Sequence, residues 1–349
     1  WKKQFTTLFL CVTLHEMSGN NDKDLGLIQR SWGIDQIVRH IAALDLWRGP
    51  VRIEPMVGGL TNHNFIVRDA GTVYVARVSF DMPAHDLYQP FVATVMNAAA
   101  NAGISPRLHY QDDALTIMDF LPGGALRPDS FADASVLEAA IDLLKRLHGL
   151  GSNLPGPLRF CYPPQKVRRY YAFLDQAGSR EAADAIPEFE ALCTAIEAHT
   201  TPFVPTFVHM DLSPQNFVFD EHGILRLIDW DYGGVGHPMA DLASMTINGD
   251  IARSDWQRVV SHYLGKPAGF QEMKLFSLFC VVVSLMEYLW ASVQKLVSHL
   301  PGDTVAASMA ATYGDYAPSF EGYCELNLDR FRRGLDEYRE TYGPLETGT

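Results

Sequence analysis

The sequence lacks several features that define other classes of protein. Its five cysteines are scattered along 349 residues and form no C-x-x-C pair, which disfavours a disulfide framework and a cysteine metal site. It contains no run of basic residues, and 28 Lys and Arg stand against 41 Asp and Glu, a net charge of −13. Such a chain repels polyanions, so neither nucleic acid nor an anionic membrane surface is an expected partner.

Long hydrophobic runs are also scarce. The most apolar stretch, Leu275 to Met286, covers twelve residues, whereas a membrane-spanning helix needs about 20. We therefore predict a buried helix there and no membrane insertion. No internal repeat or low-complexity tract is present, and hydrophobic residues make up 47% of the chain, enough for a packed core. Reduced thiols and this composition indicate a cytoplasmic globular protein.

The hydrophobic pattern divides the chain into parts. Residues 1–30 predict a poorly ordered leader, since Met17 is followed by a polar stretch. Alternation from Val51 to Val78, interrupted by turn residues, predicts a three-stranded antiparallel meander, and two short strands follow it. From residue 122 onward helical spacing dominates.

These patterns predict an α+β fold of two lobes. Residues 31–121 form a small lobe with an antiparallel sheet, and residues 122–349 form a mainly helical lobe. A length of 349 residues agrees with about two domains at roughly 150 residues each. Ligands prefer the cleft between two such lobes, so a site is expected where they meet.

One loop carries the chemistry. His209, Asp211 and Asn216 have H-x-D-x-x-x-x-N spacing between two apolar runs, and a later apolar strand delivers Asp229 and Asp231 into a glycine-containing turn. Phosphoryl transfer requires a carboxylate that accepts the proton of the attacking hydroxyl and oxygen ligands for magnesium. Asp211 suits the first task, and Asn216 and Asp229 suit the second. We assign His209 a structural role within the loop.

Two features of the predicted meander suit phosphate binding. The turn at residues 58–62, Gly-Gly-Leu-Thr-Asn, would let backbone N–H groups approach a nucleotide, although an ordinary hairpin turn would look the same. Arg77 on the third strand could clamp phosphate with its guanidinium group, or it could be a surface arginine.

Together these residues resemble the choline/ethanolamine kinase family, part of a wider group that includes the aminoglycoside phosphotransferases and shares the protein-kinase-like fold. The resemblance spans roughly Val51 to Tyr338. Residues 59–62 resemble that family's G-x-T-N nucleotide loop, residues 228–232 (Ile-Asp-Trp-Asp-Tyr) its I-D-x-E-Y segment, and residues 287–294 its W-x-x-W-x-x-x-Q helix. Residues 238–243 resemble the segment whose aspartate, here Asp241, supports the catalytic loop.

The resemblance implies ATP and Mg²⁺ as cofactors and a role for each matching residue. The implied catalytic base is Asp211; the metal site comprises Asn216, Asp229 and Asp231; the nucleotide contacts are Gly59, Thr61, Asn62 and Arg77 at the phosphates and the backbone of Asp119 and Leu121 at adenine; and the substrate contacts are Asp211, Asp231, Glu287 and Trp290.

The sequence departs from the family in two places. The predicted helix Pro90 to Ala102 has no acid to pair with Arg77, so either Asp86 substitutes or the pair is missing. Glu287 replaces the first tryptophan of the W-x-x-W pair, which makes the pocket more acidic than aromatic. Aromatic rings bind a quaternary ammonium by cation–π attraction, whereas a carboxylate suits a primary ammonium, which donates hydrogen bonds, at least as well as trimethylammonium. Ethanolamine or another amino alcohol is therefore a candidate substrate.

We therefore predict an ATP- and Mg²⁺-dependent kinase that phosphorylates the hydroxyl of an amino alcohol of the choline or ethanolamine type. An aminoglycoside or thiamine kinase is an alternative within the same chemistry. A pseudokinase that binds nucleotide without turnover is a third reading, motivated by the missing helix acid. The expected partner is a small cationic alcohol, and a homodimer is compatible with the sequence.

Overall fold

The computed structural model describes residues 27–56, 62–200, 202–298, 302–313 and 317–345. Only residues 27–30 of the predicted leader are among them. Gly59 and Thr61, which are predicted to bind nucleotide, lie outside the described residues, so their role stays a prediction.

The N-terminal part is built on an antiparallel sheet of five strands in the order β1-β2-β3-β5-β4. The strands are β1 (Arg52–Met56), β2 (His63–Asp69), β3 (Thr72–Val78), β4 (Leu108–Gln111) and β5 (Leu115–Asp119). The predicted meander and the two following strands are thereby confirmed.

One face of this sheet is apolar because side chains alternate along each strand. Phe65 and Val67 of β2 and Ala76 and Val78 of β3 are buried in a small core with the helix α1 (Ile34–Ala42). Arg77 lies between Ala76 and Val78, so its side chain projects from the opposite face of the sheet. That face looks toward the helical part of the chain.

The helix α2 (Gln89–Asn101) confirms the predicted helix and belongs to the larger core. Val92, Val95 and Met96 pack with the helical part rather than with the small core of the sheet. The helix therefore ties the sheet to the rest of the molecule.

Helices dominate after residue 122, as predicted. They are α3 (Ala134–His148), α4 (Pro163–Gln176), α5 (Glu181–Ala185), α6 (Phe189–Thr200), α7 (Pro238–Asn248), α8 (Trp256–Leu264), α9 (Phe270–Val297), α10 (Gly302–Tyr313) and α11 (Phe320–Tyr342). The short strands between them are β6 (Phe160–Cys161), β7 (Thr206–Val208), β8 (Phe217–Phe219), β9 (Leu225–Leu227) and β10 (Gly234–Gly236). The strands β6, β10 and β7 form one small sheet, and β8 pairs with β9.

The helix α9 is longer than the apolar stretch in the sequence suggests. It has 28 residues and is, by length and composition alone, able to cross a membrane, yet 83% of its most apolar window is buried inside the protein. It packs against α11, α7 and α4. The prediction of a buried helix is confirmed, and α9 is the central helix of the larger core.

Candidate active site

The backbone of the predicted catalytic loop is held by α7. The amides of His209 and Met210 donate to the two carboxylate oxygens of Asp241, each at 2.8 Å, and the amide of Leu212 donates to Ser244 Oγ at 3.0 Å. Asp241 is fully buried in the first turn of the helix. One carboxylate thus fixes two successive peptide groups, as the sequence resemblance implies for this aspartate.

His209 links the loop to the strand β9. Its Nε2 lies 2.9 Å from the carbonyl oxygen of Ile228 and its Nδ1 lies 3.3 Å from the amide of Asp211. A carbonyl only accepts and an amide only donates, so the ring carries its proton on Nε2. Burial lowers the pKa of His209 despite the nearby Asp241 charge, which keeps the ring neutral. The structure therefore places His209 in the structural role that we assigned to it.

Asp211 emerges from this fixed loop into a pocket. Ser213 Oγ donates to its carboxylate at 3.3 Å. Burial, followed by the charges of Asp229 and Glu287, raises the pKa of Asp211 well above its ordinary value. A carboxylate with a raised pKa is a better proton acceptor than an exposed one, so the environment suits a general base.

Asn216 lies one turn further along the same loop. Its side-chain nitrogen Nδ2 donates to the backbone oxygen of Asp211 at 2.8 Å, and its backbone oxygen accepts from the backbone amide of Ile228 at 3.0 Å. The side-chain nitrogen is thereby committed, which leaves the amide oxygen as the atom suited to a metal ion.

Arg77 joins the two carboxylates that follow β9. Its Nη2 lies 2.9 Å from Asp229 Oδ1 and 2.7 Å from Asp231 Oδ1, and Asn62 Nδ2 donates to Asp231 Oδ2 at 3.0 Å. Burial opposes the charge of Arg77, but the two carboxylates outweigh it and raise its pKa. With 6% of its surface exposed, Arg77 is not a surface arginine, and it brings strand β3 into direct contact with the candidate metal ligands.

Asp86 does not replace the helix acid that the family uses to pair with this position. Its carboxylate lies 2.8 Å from Arg169 Nη1 and 3.7 Å from Arg159 Nε. Arg77 is paired with Asp229 and Asp231 instead, so these two carboxylates compensate for the missing acid.

The site is compatible with magnesium. Asp229 contributes a carboxylate whose side chain is 37% exposed, and Asn216 contributes an amide oxygen. These are hard oxygen ligands of the kind Mg²⁺ prefers, and Mg²⁺ usually completes its shell with water and substrate phosphates rather than an all-protein cage. Among the described residues no group of three or more His, Cys, Asp or Glu side chains could form such a cage.

The predicted adenine contacts lie at the end of the inner strand β5. Asp119 ends β5, and its carboxylate lies 2.6 Å from His109 Nε2. Leu121 follows two residues later and is half-buried. Their backbone contact with adenine stays a prediction.

A pocket of about 400 Å³ opens beside the catalytic loop. Three of the four predicted substrate residues, Asp211, Glu287 and Trp290, line it. The fourth, Asp231, points its carboxylate at Arg77 and Asn62 instead. The structure thus brings Asp211, Glu287 and Trp290 together at one pocket and places the Asp231 carboxylate against Arg77 and Asn62. The substrate contacts of all four residues stay predictions.

Glu287 and Trp290 are held in place by neighbouring helices. Tyr323 donates its hydroxyl proton to Glu287 at 2.9 Å, and Asn248 Nδ2 lies 3.3 Å from the second oxygen. Burial raises the pKa of Glu287. The indole nitrogen of Trp290 donates to the hydroxyl of Tyr232 at 2.7 Å. Both side chains are therefore pre-positioned on the pocket wall.

The pocket also contains cations that sequence reasoning missed, namely Arg159, Lys166 and Arg169. Lys166 and Arg169 are three residues apart on α4, a spacing that puts them on one helix face. Tyr170 follows on the same side. That spacing was the available signal, whereas nothing in the sequence near Arg159 indicates its place in the pocket.

A sheet packed on a helical part, with a candidate base, candidate oxygen ligands and an arginine at their junction, is the arrangement of a kinase-like phosphotransferase. Solved structures have the same fold: a choline/ethanolamine kinase family protein from Mesorhizobium loti superposes with a TM-score of 0.64 and 22% identity, over 88% of this chain and 95% of that chain.

The chain belongs to the phosphotransferase enzyme family, APH, whose model matches residues 52–276. Protein LicA of Haemophilus influenzae is 19% identical over 268 residues, 74% of this chain and 78% of that protein. Acyl-CoA dehydrogenase family member 11 of Gallus gallus is 25% identical over 219 residues, 57% of this chain but only 28% of that much longer protein. The predicted family resemblance and fold are confirmed, and the family to which the chain belongs is one of phosphotransferase enzymes.

Proposed function

We propose that this protein transfers the γ-phosphoryl group of ATP, with Mg²⁺, to the hydroxyl of a small amino alcohol. The observation that carries the proposal is the position of Asp211. It belongs to the same rigid loop as Asn216 and also lines the 400 Å³ pocket. A hydroxyl in that pocket would lie beside both a proton acceptor and the metal-binding side of the loop.

In this mechanism Asp211 accepts the proton of the attacking hydroxyl, and its position is set by the loop that Asp241 and His209 hold. Fixed orientation of the nucleophile and a pre-formed charge environment supply most of the catalysis in phosphoryl transfer. Asn216 and Asp229 would hold Mg²⁺, which neutralises charge on the phosphates when bound. Arg77 and Asn62 are positioned beside the same segment to contact phosphate oxygens.

The pocket supports an amino group on the alcohol. Glu287 is a buried carboxylate on the wall, and its hydrogen bonds come from the neutral groups of Tyr323 and Asn248. Its charge is therefore available to an ammonium group, which favours the ethanolamine type over choline because a primary ammonium donates hydrogen bonds. We also propose a cytoplasmic location, supported by the free, buried thiols of the four described cysteines.

The test is magnesium-dependent ADP release on a panel of ethanolamine, choline, thiamine and aminoglycosides. Asp211→Asn should lower kcat by about 10²- to 10⁴-fold, the usual contribution of a general base, while the affinity for MgADP stays nearly unchanged. Asp336→Asn removes a carboxylate whose side chain is 72% exposed on α11 and is the matched control. It should behave like the wild type.

Two results would contradict the proposal. If Asp211→Asn retained wild-type turnover, the base would lie elsewhere. If no alcohol, including the acidic alcohols tested below, were phosphorylated while MgADP still bound, the pseudokinase reading would replace it.

A further inference from the structure

Arg159 presents buried donors to the pocket without a hydrogen-bond partner. Only 8% of the surface of Arg159 is exposed. Nη1 donates to the backbone oxygen of Asp231 at 2.7 Å, but Nε and Nη2 have no hydrogen-bond partner among the described residues. Asp86 approaches Nε only to 3.7 Å. Buried polar groups are nearly always hydrogen-bonded, so these two nitrogens lack an acceptor that a ligand bound against Arg159 in the pocket would supply.

The position of Arg159 is rigid because β10 packs tightly against it. A Cβ atom at Gly234 would lie 2.4 Å from the carbonyl oxygen of Arg159, and one at Gly236 would lie 2.3 Å from that of Cys161. The amide of Val235 donates to the oxygen of Arg159 at 2.9 Å. The backbone of Arg159 is therefore held in place, which positions the guanidinium as a binding residue requires.

Lys166 adds a second cation on the same wall. Its ammonium lies 4.9 Å from the ring centroid of Tyr170 and 5.1 Å from that of Tyr232, and it donates to the backbone oxygen of His85. The protein's own cation thus occupies the aromatic surface that a quaternary ammonium would use. A cationic group of the substrate is repelled from this wall and directed toward Glu287.

Positive charge is in excess on this wall, because the single carboxylate of Asp86 acts on Arg159, at 3.7 Å, as well as on Lys166 and Arg169. Asp86 lies closest to Arg169 at 2.8 Å, and Glu287 is hydrogen-bonded to Tyr323 and Asn248 on another wall. In the proposed mechanism Asp211 bonds to the hydroxyl of the substrate and does not pair with these cations. An arginine fork and an ammonium that face one cavity form a binding site for a carboxylate or phosphate.

We propose that the alcohol phosphorylated here carries an anionic group, a carboxylate or a phosphate, which Arg159 and Lys166 bind. The inference rests on the proposed function and deepens it. An ammonium at Glu287, an anion at Arg159 and Lys166 and a hydroxyl at Asp211 together describe a zwitterionic alcohol, of which a hydroxy amino acid is the simplest form.

The test compares alcohols that differ only in the anionic group. Serine is paired with ethanolamine, homoserine with 3-aminopropanol, and glycerol 3-phosphate with glycerol. Their dissociation constants are measured by calorimetry on the MgADP-bound protein, which requires no turnover. In at least one pair the acidic member should bind about tenfold or more tightly, as hydrogen bonds to a charged group predict. The first two pairs report a carboxylate and the third a phosphate.

Variants connect the preference to its residues. Arg159→Gln and Lys166→Met should each reduce it, and Arg159→Lys, which keeps the charge, should retain part of it. Arg333→Gln removes an equal charge from a side chain that is 66% exposed on α11 and should leave it unchanged. If Arg159→Gln does not fold, Lys166→Met and Arg159→Lys still decide the question.

The inference is overturned if the parent alcohols bind as tightly as the acidic ones, if none of the six compounds binds, or if the preference survives Lys166→Met and every folded Arg159 variant. It is also overturned if Arg159→Gln weakens MgADP and leaves the acceptor preference intact, since Arg159 would then be a nucleotide residue. Preference without ADP release would contradict the proposed function alone, and turnover without preference would contradict only this inference.

Discussion

Replacing Arg77 with methionine should destabilise the protein through the two carboxylates it leaves behind. The side chains of Arg77 and Asp231 are 7% and 6% exposed, and their closest atoms are 2.7 Å apart. Removing one partner of a buried ion pair costs about 3–5 kcal/mol. Because Asp229 is 37% exposed, solvent screens its share, so we expect the lower end, about 3 kcal/mol. Because the entropy of unfolding grows with length and this chain has 349 residues, the shift is about 1–2 °C per kcal/mol, and the melting temperature should fall by about 3–6 °C.

Magnesium should recover part of this loss without nucleotide. In the wild type Arg77 already neutralises Asp229 and Asp231, so a metal ion gains little there. In Arg77→Met the two carboxylates repel each other, and a cation that binds only the folded state raises its stability. We expect millimolar Mg²⁺ to raise the melting temperature of Arg77→Met by several degrees and that of the wild type far less. Sodium chloride at equal ionic strength separates binding from screening.

The control is Arg68→Met on the neighbouring strand β2. That side chain is 51% exposed and lies 3.7 Å from Glu54, so its loss should cost about 0–1 kcal/mol and create no magnesium response. The reasoning is refuted if Arg77→Met melts at the wild-type temperature, or if Mg²⁺ stabilises the wild type as much as the variant. Arg77 would then not be the internal cation of the metal-binding segment.

Three further predictions follow from the charged groups of the site. Asp241→Asn replaces a carboxylate that accepts from two loop amides with a group that has one acceptor oxygen. Because a correctly placed general base contributes more than about tenfold to the rate, steady-state kinetics should show kcat falling at least about tenfold. The affinity for nucleotide should change little. Burial and Arg159 lower the pKa of Lys166 to about 7, so calorimetry should show affinity for an acidic alcohol falling as pH rises through about 7, a dependence that Lys166→Met abolishes. The raised pKa of Asp211 means that its ionisation opposes folding at neutral pH; Asp211→Asn should therefore melt higher than the wild type there, and the difference should shrink as pH falls toward the ordinary carboxyl range.

The elements that sequence predicted well have local signals. Alternation identifies the strands β1 to β3 because one face of the sheet packs on α1 and the other does not. The spacing of Asp211 and Asn216 is equally local, since the side-chain amide of Asn216 bonds the backbone of Asp211. Because this hydrogen bond lies within the loop, it requires a fixed number of residues between Asp211 and Asn216, and that spacing is visible in the sequence.

The helix α7 left no comparable signal. Every residue from Met239 to Thr246 is buried, so the segment has no exposed face, and helical periodicity depends on a contrast between an exposed and a buried face. Its function is recoverable only through the motif around Asp241.

Arg159 and Lys166 show why the substrate pocket resists prediction. Arg159 precedes a strand of two residues whose neighbour β10 lies more than seventy positions later in the chain, and no local pattern reports such a pairing. The sequence does show that Glu287 stands in place of a family tryptophan, which alone suggests a stronger site for a cation. The structure adds that Lys166 covers Tyr170 and Tyr232. Glu287 thus replaces one aromatic ring that could contact a substrate cation. The rings of Tyr170 and Tyr232 already contact Lys166. A pocket with separate acidic and basic walls discriminates against a purely cationic alcohol, because such a substrate would satisfy Glu287 and leave Arg159 buried without an anion.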